Sequence, residues 1–599
     1  MVSPGSIRRL TLLALLALAA CSEKAPDPAA VDEAIDTLPS IEDIADNYIN
    51  AYLERFPEMA TYYGLSGYRH NRLTDMSEGA INEWRRTQDA ILELLEANGR
   101  PAEIGSRDWV TYGVLHEALV NAANTRLCQS HLWAASTTTA WYTSVPFLFD
   151  YQPLTTAENR QDALDRLTAL GPFIDQDIAN LREGLRLGYS APRVTVEKVP
   201  AQVRVLLEEK NPFLGMAARV SDREFSALAV YVYETIVAPA IERYATFIED
   251  EYLPAARTEV SLAANPNGDR CYTALVRSFT SVSMDADRIH ELGLQQMALI
   301  QQQFREVIDE HFDGLPTPAL LRIINSDPSY TFDSEQAVID YSVRALDEAK
   351  AAIPKAFGRL PEAEVVIKPY PDFADSGVGG YQAPAEDGSR PGIFWIAVVE
   401  PQTRTRATQK SKLYHETYPG HHLQGSIALE LGDSVHPVTR YFGNAGFSEG
   451  WALYSERVAE ELGLYDDPVD LLGLLSDQGA RAARLVVDTG LHTRNWSRRQ
   501  AVDYMLANTG WAETDIQNDV NRYISWPGQA NSYMLGKLEI DRLRRKAEDE
   551  LGDGFDIRDF HDRVLENGAI TLPMLEQRIS DWIRARKMMA EDPVPQTEQ

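Results

Sequence analysis

Tyr414-His415-Glu416-Thr417-Tyr418-Pro419-Gly420-His421-His422-Leu423-Gln424 carries three of the chain's eleven histidines, and a glutamate, in eleven residues. In helices that hold zinc, two histidines four apart project from one face toward the metal, and the glutamate after the first takes a proton from water. His415 and Glu416 fit the start of that pattern, but position 419, where the second histidine should stand, is proline. In an unbroken helix His415 and His422 share a face yet sit about 10 Å apart along the axis, too far to share one metal with bonds of about 2 Å, and His421 points elsewhere. Pro419 lacks the amide that would bond to the His415 carbonyl, and its ring clashes with that carbonyl, so the segment must bend or bulge there. Gly420 supplies backbone freedom, and a bulge brings a later histidine back beside His415.

Just before this segment, Glu364-Val365-Val366-Ile367-Lys368 and residues 392–399 are short β-rich runs separated by Pro384, Asp387-Gly388 and Pro391. They predict strands joined by a substantial loop. Elsewhere the chain reads helical. Over 81–97, Trp84, Ile91, Leu92 and Leu95 fall near one face, and Asn98-Gly99 with Pro101 beyond supplies the stop. Over 285–312, Ile289, Met297, Ile300, Phe304 and Ile308 recur at helical intervals before Gly314. The same periodicity runs through 161–186, 223–250, 335–350, 447–462, 474–494, 532–551 and 574–590. The fold class that follows is mainly α: a large helical body with a small β-sheet next to the histidine-bearing helix. With no fixed repeat and no linker between about 40 and 590, residues 41–590 read as one domain, a split into two lobes near 315–360 being the alternative.

At the N-terminus, Arg8 and Arg9, an apolar run over 10–20 and then Cys21 have the layout of a secretory signal too short to span a membrane. Leu18-Ala19-Ala20-Cys21 looks like a bacterial lipoprotein cleavage site. Residues 1–20 are then the signal peptide and Cys21 the lipidated first residue of the mature chain. Ser22 favours the outer membrane, with the body facing the periplasm, and 21–40, with Pro26, Pro28 and Pro39, form a flexible tether. Residues 591–599 read as a disordered tail. The formal charge of −32 excludes nucleic acid and anionic lipid surfaces as natural partners, leaving the anchor as the membrane contact. Beyond the anchor only Cys128 and Cys271 remain, and an oxidising compartment permits a disulfide between them without the sequence bringing them together.

The run His415–Gln424 resembles the signature of the bacterial family catalogued as domain of unknown function 885, which is grouped with zincin-like metallopeptidases. The likeness extends along much of 45–590: Phe56-Pro57-Glu58 to Gly64, Gly380-Tyr381-Gln382-Ala383-Pro384, Gly388-Ser389-Arg390-Pro391-Gly392, Glu449-Gly450-Trp451-Ala452-Leu453-Tyr454, and Pro527-Gly528-Gln529 with Tyr533 and Gly536. It implies a zincin-like, mostly helical catalytic domain holding one zinc ion. Setting Gly420-His421 against the Gly-His that ends the motif of helical oligopeptidases implies a two-residue insertion and makes His421 the second ligand. His422 is the alternative, and otherwise a supporting or substrate contact. The stretch from Gly446 to Glu456 looks like the glutamate helix of zinc aminopeptidases, so Glu449 completes a His₂Glu set with a fourth position for water.

With that set, Glu416 is the expected general base, and Tyr533, by its place in the resembling run, the expected donor to the oxyanion. Arg484, Asp488 and His492 recur at steps of four and share a helix face. There Asp488 could orient His492 as a second transition-state donor and Arg484 could anchor a substrate carboxylate, or all three could form a buried ion-pair ladder. Arg390 and Lys537 are further candidates for a substrate carboxylate. Residues 392–399 would offer an edge strand to an extended peptide, with Tyr381 and Trp395 shaping a pocket beside it. The expected activity is zinc-dependent hydrolysis of short peptides by direct attack of water. A non-catalytic metal-binding envelope scaffold, or a zinc amidohydrolase acting on a non-peptide amide, would use the same residues. Glu416, which a scaffold has no metal-binding need for, favours the hydrolase.

Overall fold

In the computed structural model, residues 38–208, 211–370, 380–386, 388 and 390–591 are described. The expected signal peptide, Cys21, most of the tether and residues 592–599 of the expected tail lie outside them. The fold is mainly α with one three-stranded sheet. Helices form where a polar cap meets an apolar stripe. Ser106 caps α1 (Arg107–Thr125) by accepting from the Trp109 amide, and a Thr156/Asn159 capping box starts α2 (Ala157–Leu187). Asp285 caps α3 (Ala286–His311), which buries Ile289, Met297, Ile300, Phe304 and Ile308, the stripe legible in the sequence. The run at 223–250 is part of a helix, Arg223–Ala255, that packs with α2 in a core of its own around Leu167, Ile174, Tyr233, Ile241 and Tyr244. Cys128 and Cys271 are bonded, closing a loop across 143 positions.

The sheet consists of β1 (Val365–Pro369), β2 (Gly380–Gln382) and β3 (Gly392–Ile396), in the order β1-β3-β2. β1 runs parallel to β3, with Val365 opposite Gly392; β2 runs antiparallel, with Tyr381 opposite Phe394. The expected strand at 392–399 therefore ends at Ile396, and it is central, not an edge. Both of its sides are occupied by neighbours, so it cannot pair with a peptide.

Five more helices frame the site: α4 (Ala407–Glu416), α5 (His421–Leu429), α6 (Ala445–Glu461), α7 (Pro468–Thr493) and α8 (Ser532–Leu551). α7 is buried along nearly its whole length and on every face, with α3 and α4 packed against it. α6 and α8 touch backbone to backbone. A Cβ on Gly536 would lie 1.8 Å from the Gly446 carbonyl oxygen, and one on Gly450 would lie 2.4 Å from the Gly536 carbonyl carbon. Small residues at this crossing bring the helix carrying Glu449 next to the helix carrying Tyr533.

Candidate metal centre

The segment between α4 and α5 is a helix with two extra residues. The Thr417 amide still bonds four residues back, to the Leu413 carbonyl at 2.8 Å. The next amides reach six residues back: Gly420 to Tyr414 at 3.0 Å and Leu423 to Thr417 at 3.3 Å, after which Gln424 returns to Gly420 at 3.1 Å. Pro419, with no amide to donate, sits at the apex, preceded by a cis peptide. The Trp451 indole of α6 donates to the Pro419 carbonyl at 3.0 Å and ties the bulge to the glutamate helix.

The bulge swings His421 back onto His415. Their rings meet edge to face with centroids 4.9 Å apart, and both Nε2 atoms face the same Glu449 oxygen, at 3.7 Å from His415 and 3.4 Å from His421. One donor atom from each of these three residues lies within 4.8 Å of the others. Donors arranged tetrahedrally about a metal at about 2 Å stand about 3.4 Å apart, so two imidazole nitrogens and a carboxylate at this spacing fit a zinc-type ion. Electrostatics agree. Burial alone would raise the Glu449 carboxyl, but His415 and His421 outweigh it and hold the group well below the carboxylate range. Burial would lower His415, but Glu449 and Glu456 outweigh it and lift the imidazole to about 9. Positive charge is what this cluster favours.

Behind the three donors stands a buried relay. His415 Nδ1 donates to Glu456 Oε1 at 2.9 Å, and Glu456 Oε2 accepts from Gln478 Nε2 of α7 at 2.7 Å. The carboxylate accepts from Nδ1 and turns Nε2 toward Glu449 and His421, where its lone pair serves a metal once its own proton is given up. Neither Glu456 nor Gln478 is assigned a role from the sequence. The signal for Glu456 was its place seven residues, two turns, beyond Glu449 on the same helix face; Gln478 carried none. Glu416 closes α4 next to His415 and is half-buried. Tyr533 stacks on His415 with centroids 6.3 Å apart, and burial raises the pKa of its hydroxyl.

These residues fall inside a long match to a family model whose description is "Bacterial protein of unknown function (DUF885)", over residues 57–579. The chain belongs to that family. Solved structures similar to this chain include two candidate lipoproteins. One is a candidate lipoprotein from Colwellia psychrerythraea, 26% identical, with a TM-score of 0.85, covering 92% of this chain and 100% of that one. The other is a candidate lipoprotein of unknown function from Shewanella oneidensis, 16% identical, TM-score 0.71, covering 90% and 99%. No curated protein matches the chain.

The other residues singled out in this DUF885 chain divide into two groups. His422 is turned away from the cluster and fully enclosed. Its Nε2 donates to the Ala363 carbonyl at 2.9 Å, so Nδ1 is left to accept from the Tyr381 hydroxyl at 3.0 Å. Burial pulls its pKa down to about 4, which keeps the ring neutral. Of the two histidines the sequence left open, His421 stands in the cluster and His422 outside it, holding Tyr381, whose ring stacks on His421 at 6.4 Å. His492 corrects an expectation. Its Nδ1 accepts from the Leu262 amide at 3.1 Å and its Nε2 donates to the Tyr523 carbonyl at 3.1 Å, so no ring nitrogen remains for a substrate. Asp488 does not orient it; that carboxylate accepts from Tyr272, Asn531 and the Gly528 amide. Arg484 is likewise buried, bonded to Asp519 at 3.2 Å and Tyr523 at 2.9 Å, with its guanidinium 4.3 Å from the Tyr533 ring centroid. It backs Tyr533 where the expectation had it grip a substrate. Lys537 is tied to Asp541 at 2.6 Å, and Trp395 donates to Gln382 at 3.1 Å and stacks on Tyr370.

Proposed function

We propose that this chain is a metal-dependent hydrolase of peptide bonds, with zinc as its metal, held at the cell envelope by a lipid on Cys21. The observation that carries the reading is the convergence of His415, His421 and Glu449 on one point, a donor set that leaves a fourth position open, with Glu416 following His415 at the end of α4. Bound zinc supplies Lewis acidity there, which acidifies a water and polarises a carbonyl. The protein's own groups do the rest. The Glu416 carboxylate takes the proton of the attacking water and returns it to the leaving amine nitrogen. The Tyr533 hydroxyl, kept protonated by its burial, donates to the oxygen that becomes negative. Glu456 and Gln478 hold the His415 ring at one angle, and His422 holds Tyr381 against His421. The Cys128–Cys271 bond suits an oxidising compartment, and the likeness to candidate lipoproteins supports the envelope location.

The test is a pool of short peptides given to the zinc-loaded wild type and to Glu416→Gln, with metal content followed in both. The reading expects cleavage by the wild type and a loss of about 100-fold or more in the variant with zinc retained. A zinc-loaded wild type that cleaves nothing, or a variant that cleaves equally well, would overturn it.

A further inference from the structure

Beside the candidate metal centre lies a cavity of about 350 Å³ that the chemistry above leaves unused. Tyr381 is the wall between them, with its ring stacked on His421 and its side chain lining the cavity. Ser448, the residue before Glu449, lines it too. The space therefore begins one side chain away from the proposed ligands, and its volume is within the range of small-molecule pockets.

The lining joins aromatic surface to cationic groups. Tyr63 and Tyr441 meet edge to face at 4.9 Å, while Arg390 and Arg440 bring two guanidinium groups to the same space. Among the described residues of the lining Glu386 is the one carboxylate, and it is paired to Arg440. Arg440 Nε is buried with no hydrogen-bond partner. Arg390 donates to the Pro391 carbonyl at 3.3 Å and lies 6.0 Å from the Tyr151 ring, and among the described residues it pairs with no carboxylate. An excess of guanidinium over carboxylate is against the trend of a chain with a formal charge of −32. Planar guanidinium groups with donors to spare, in a partly enclosed space, suit a planar anion.

We infer that this cavity is the specificity pocket of the site and that it takes a carboxylate of the substrate peptide, gripped by Arg390 between tyrosine walls. The inference rests on the peptidase reading. The carboxylate has two sources, the peptide's C-terminus or an acidic side chain, and both present the same two oxygens. The test uses the zinc-loaded full chain and two matched peptide series, one pairing a free C-terminal acid with its amide, the other pairing Glu with Gln inside an amidated peptide. Turnover is measured on the wild type, and binding by calorimetry on Glu416→Gln, with and without Arg390→Gln. In one series the charged partner should be favoured about 10- to 100-fold, the worth of hydrogen bonds to a charged group. That series names the source, and Arg390→Gln should erase the preference through KM and Kd. Equal handling of charged and neutral partners in both series, or a preference that survives Arg390→Gln, overturns the pocket while cleavage itself leaves the peptidase reading standing. If the wild type cleaves nothing but Glu416→Gln still binds the acid selectively through Arg390, the pocket stands and the peptidase reading falls.

Discussion

Gly420→Ala would place a methyl 1.9 Å from the His415 carbonyl oxygen and 2.4 Å from that of Tyr414, where real contacts do not fall below 3.0 Å. Both obstacles are backbone atoms in the last turn of α4, so no side chain can rotate to make room. Relief requires a shift of about 1 Å, either of that turn, which carries His415, or of the bulge, which carries His421. Metal sites tolerate errors of about 0.2 Å in ligand distance, so one histidine should leave the coordination sphere. Overpacking of this kind costs about 1–3 kcal/mol of stability. The loss of metal affinity should reach or exceed the 10- to 100-fold typical of losing an outer partner of a ligand. A 100-fold weakening removes about 2.7 kcal/mol of zinc-dependent stabilisation. Competition with a chromogenic chelator would read the affinity, and denaturant unfolding with and without zinc would read the stabilisation. An alanine variant that takes zinc with wild-type affinity would refute the claim that the bulge sets the ligand spacing.

Other outcomes follow from the same structure. Glu456→Gln should weaken zinc about 10-fold while the fold persists, because the charged acceptor behind His415 Nδ1 is gone; an unchanged Kd in the chelator competition would speak against the relay. Removing the disulfide by Cys128→Ala with Cys271→Ala frees a loop spanning 143 positions, and loop-closure entropy sets an upper limit of about 5 kcal/mol on the lost stability, read in urea unfolding. A loss below about 1 kcal/mol would mean the bond constrains little. Burial pushes Asp177 up to about 7, from about 3.9 in an unfolded chain. The folded carboxyl thus keeps a proton that the unfolded chain has lost, and stability falls as pH rises from about 4 to about 7. Asp177→Asn removes that loss and should gain about 2–4 kcal/mol on the wild type between pH 5 and pH 8, from about 1.4 kcal/mol per pKa unit. A gap that does not change with pH would contradict the assignment.

What the sequence disclosed, and what it withheld, follows from how local each determinant is. α3 was legible almost to the residue, predicted over 285–312 and found at Ala286–His311, because its stripe and its Asp285 cap are contiguous. β1 was found within one residue of expectation at each end, but β2 was not read as a strand at all: three residues with a glycine carry no alternation. Without β2, nothing marked β3 as central. The bulge was legible because the missing amide of Pro419 acts on its own helix. The choice between His421 and His422 was not, since it depends on partners such as Ala363, Tyr381 and Trp451 that arrive from elsewhere in the chain. The spacing of Arg484, Asp488 and His492 correctly put them on one helix. Their partners Asp519, Asn531 and the Leu262 amide come from other segments and turn a suspected catalytic row into buried structure.

The central claim is that His415, His421 and Glu449 hold a metal, and the most direct measurement is zinc per chain in the purified protein, beside His415→Ala, His421→Ala and His422→Ala. The account predicts about one zinc in the wild type and in His422→Ala, and none in the other two, all four remaining folded. A folded wild type that takes up no zinc when it is resupplied, or a His422→Ala variant that loses zinc while His421→Ala keeps it, would contradict the account.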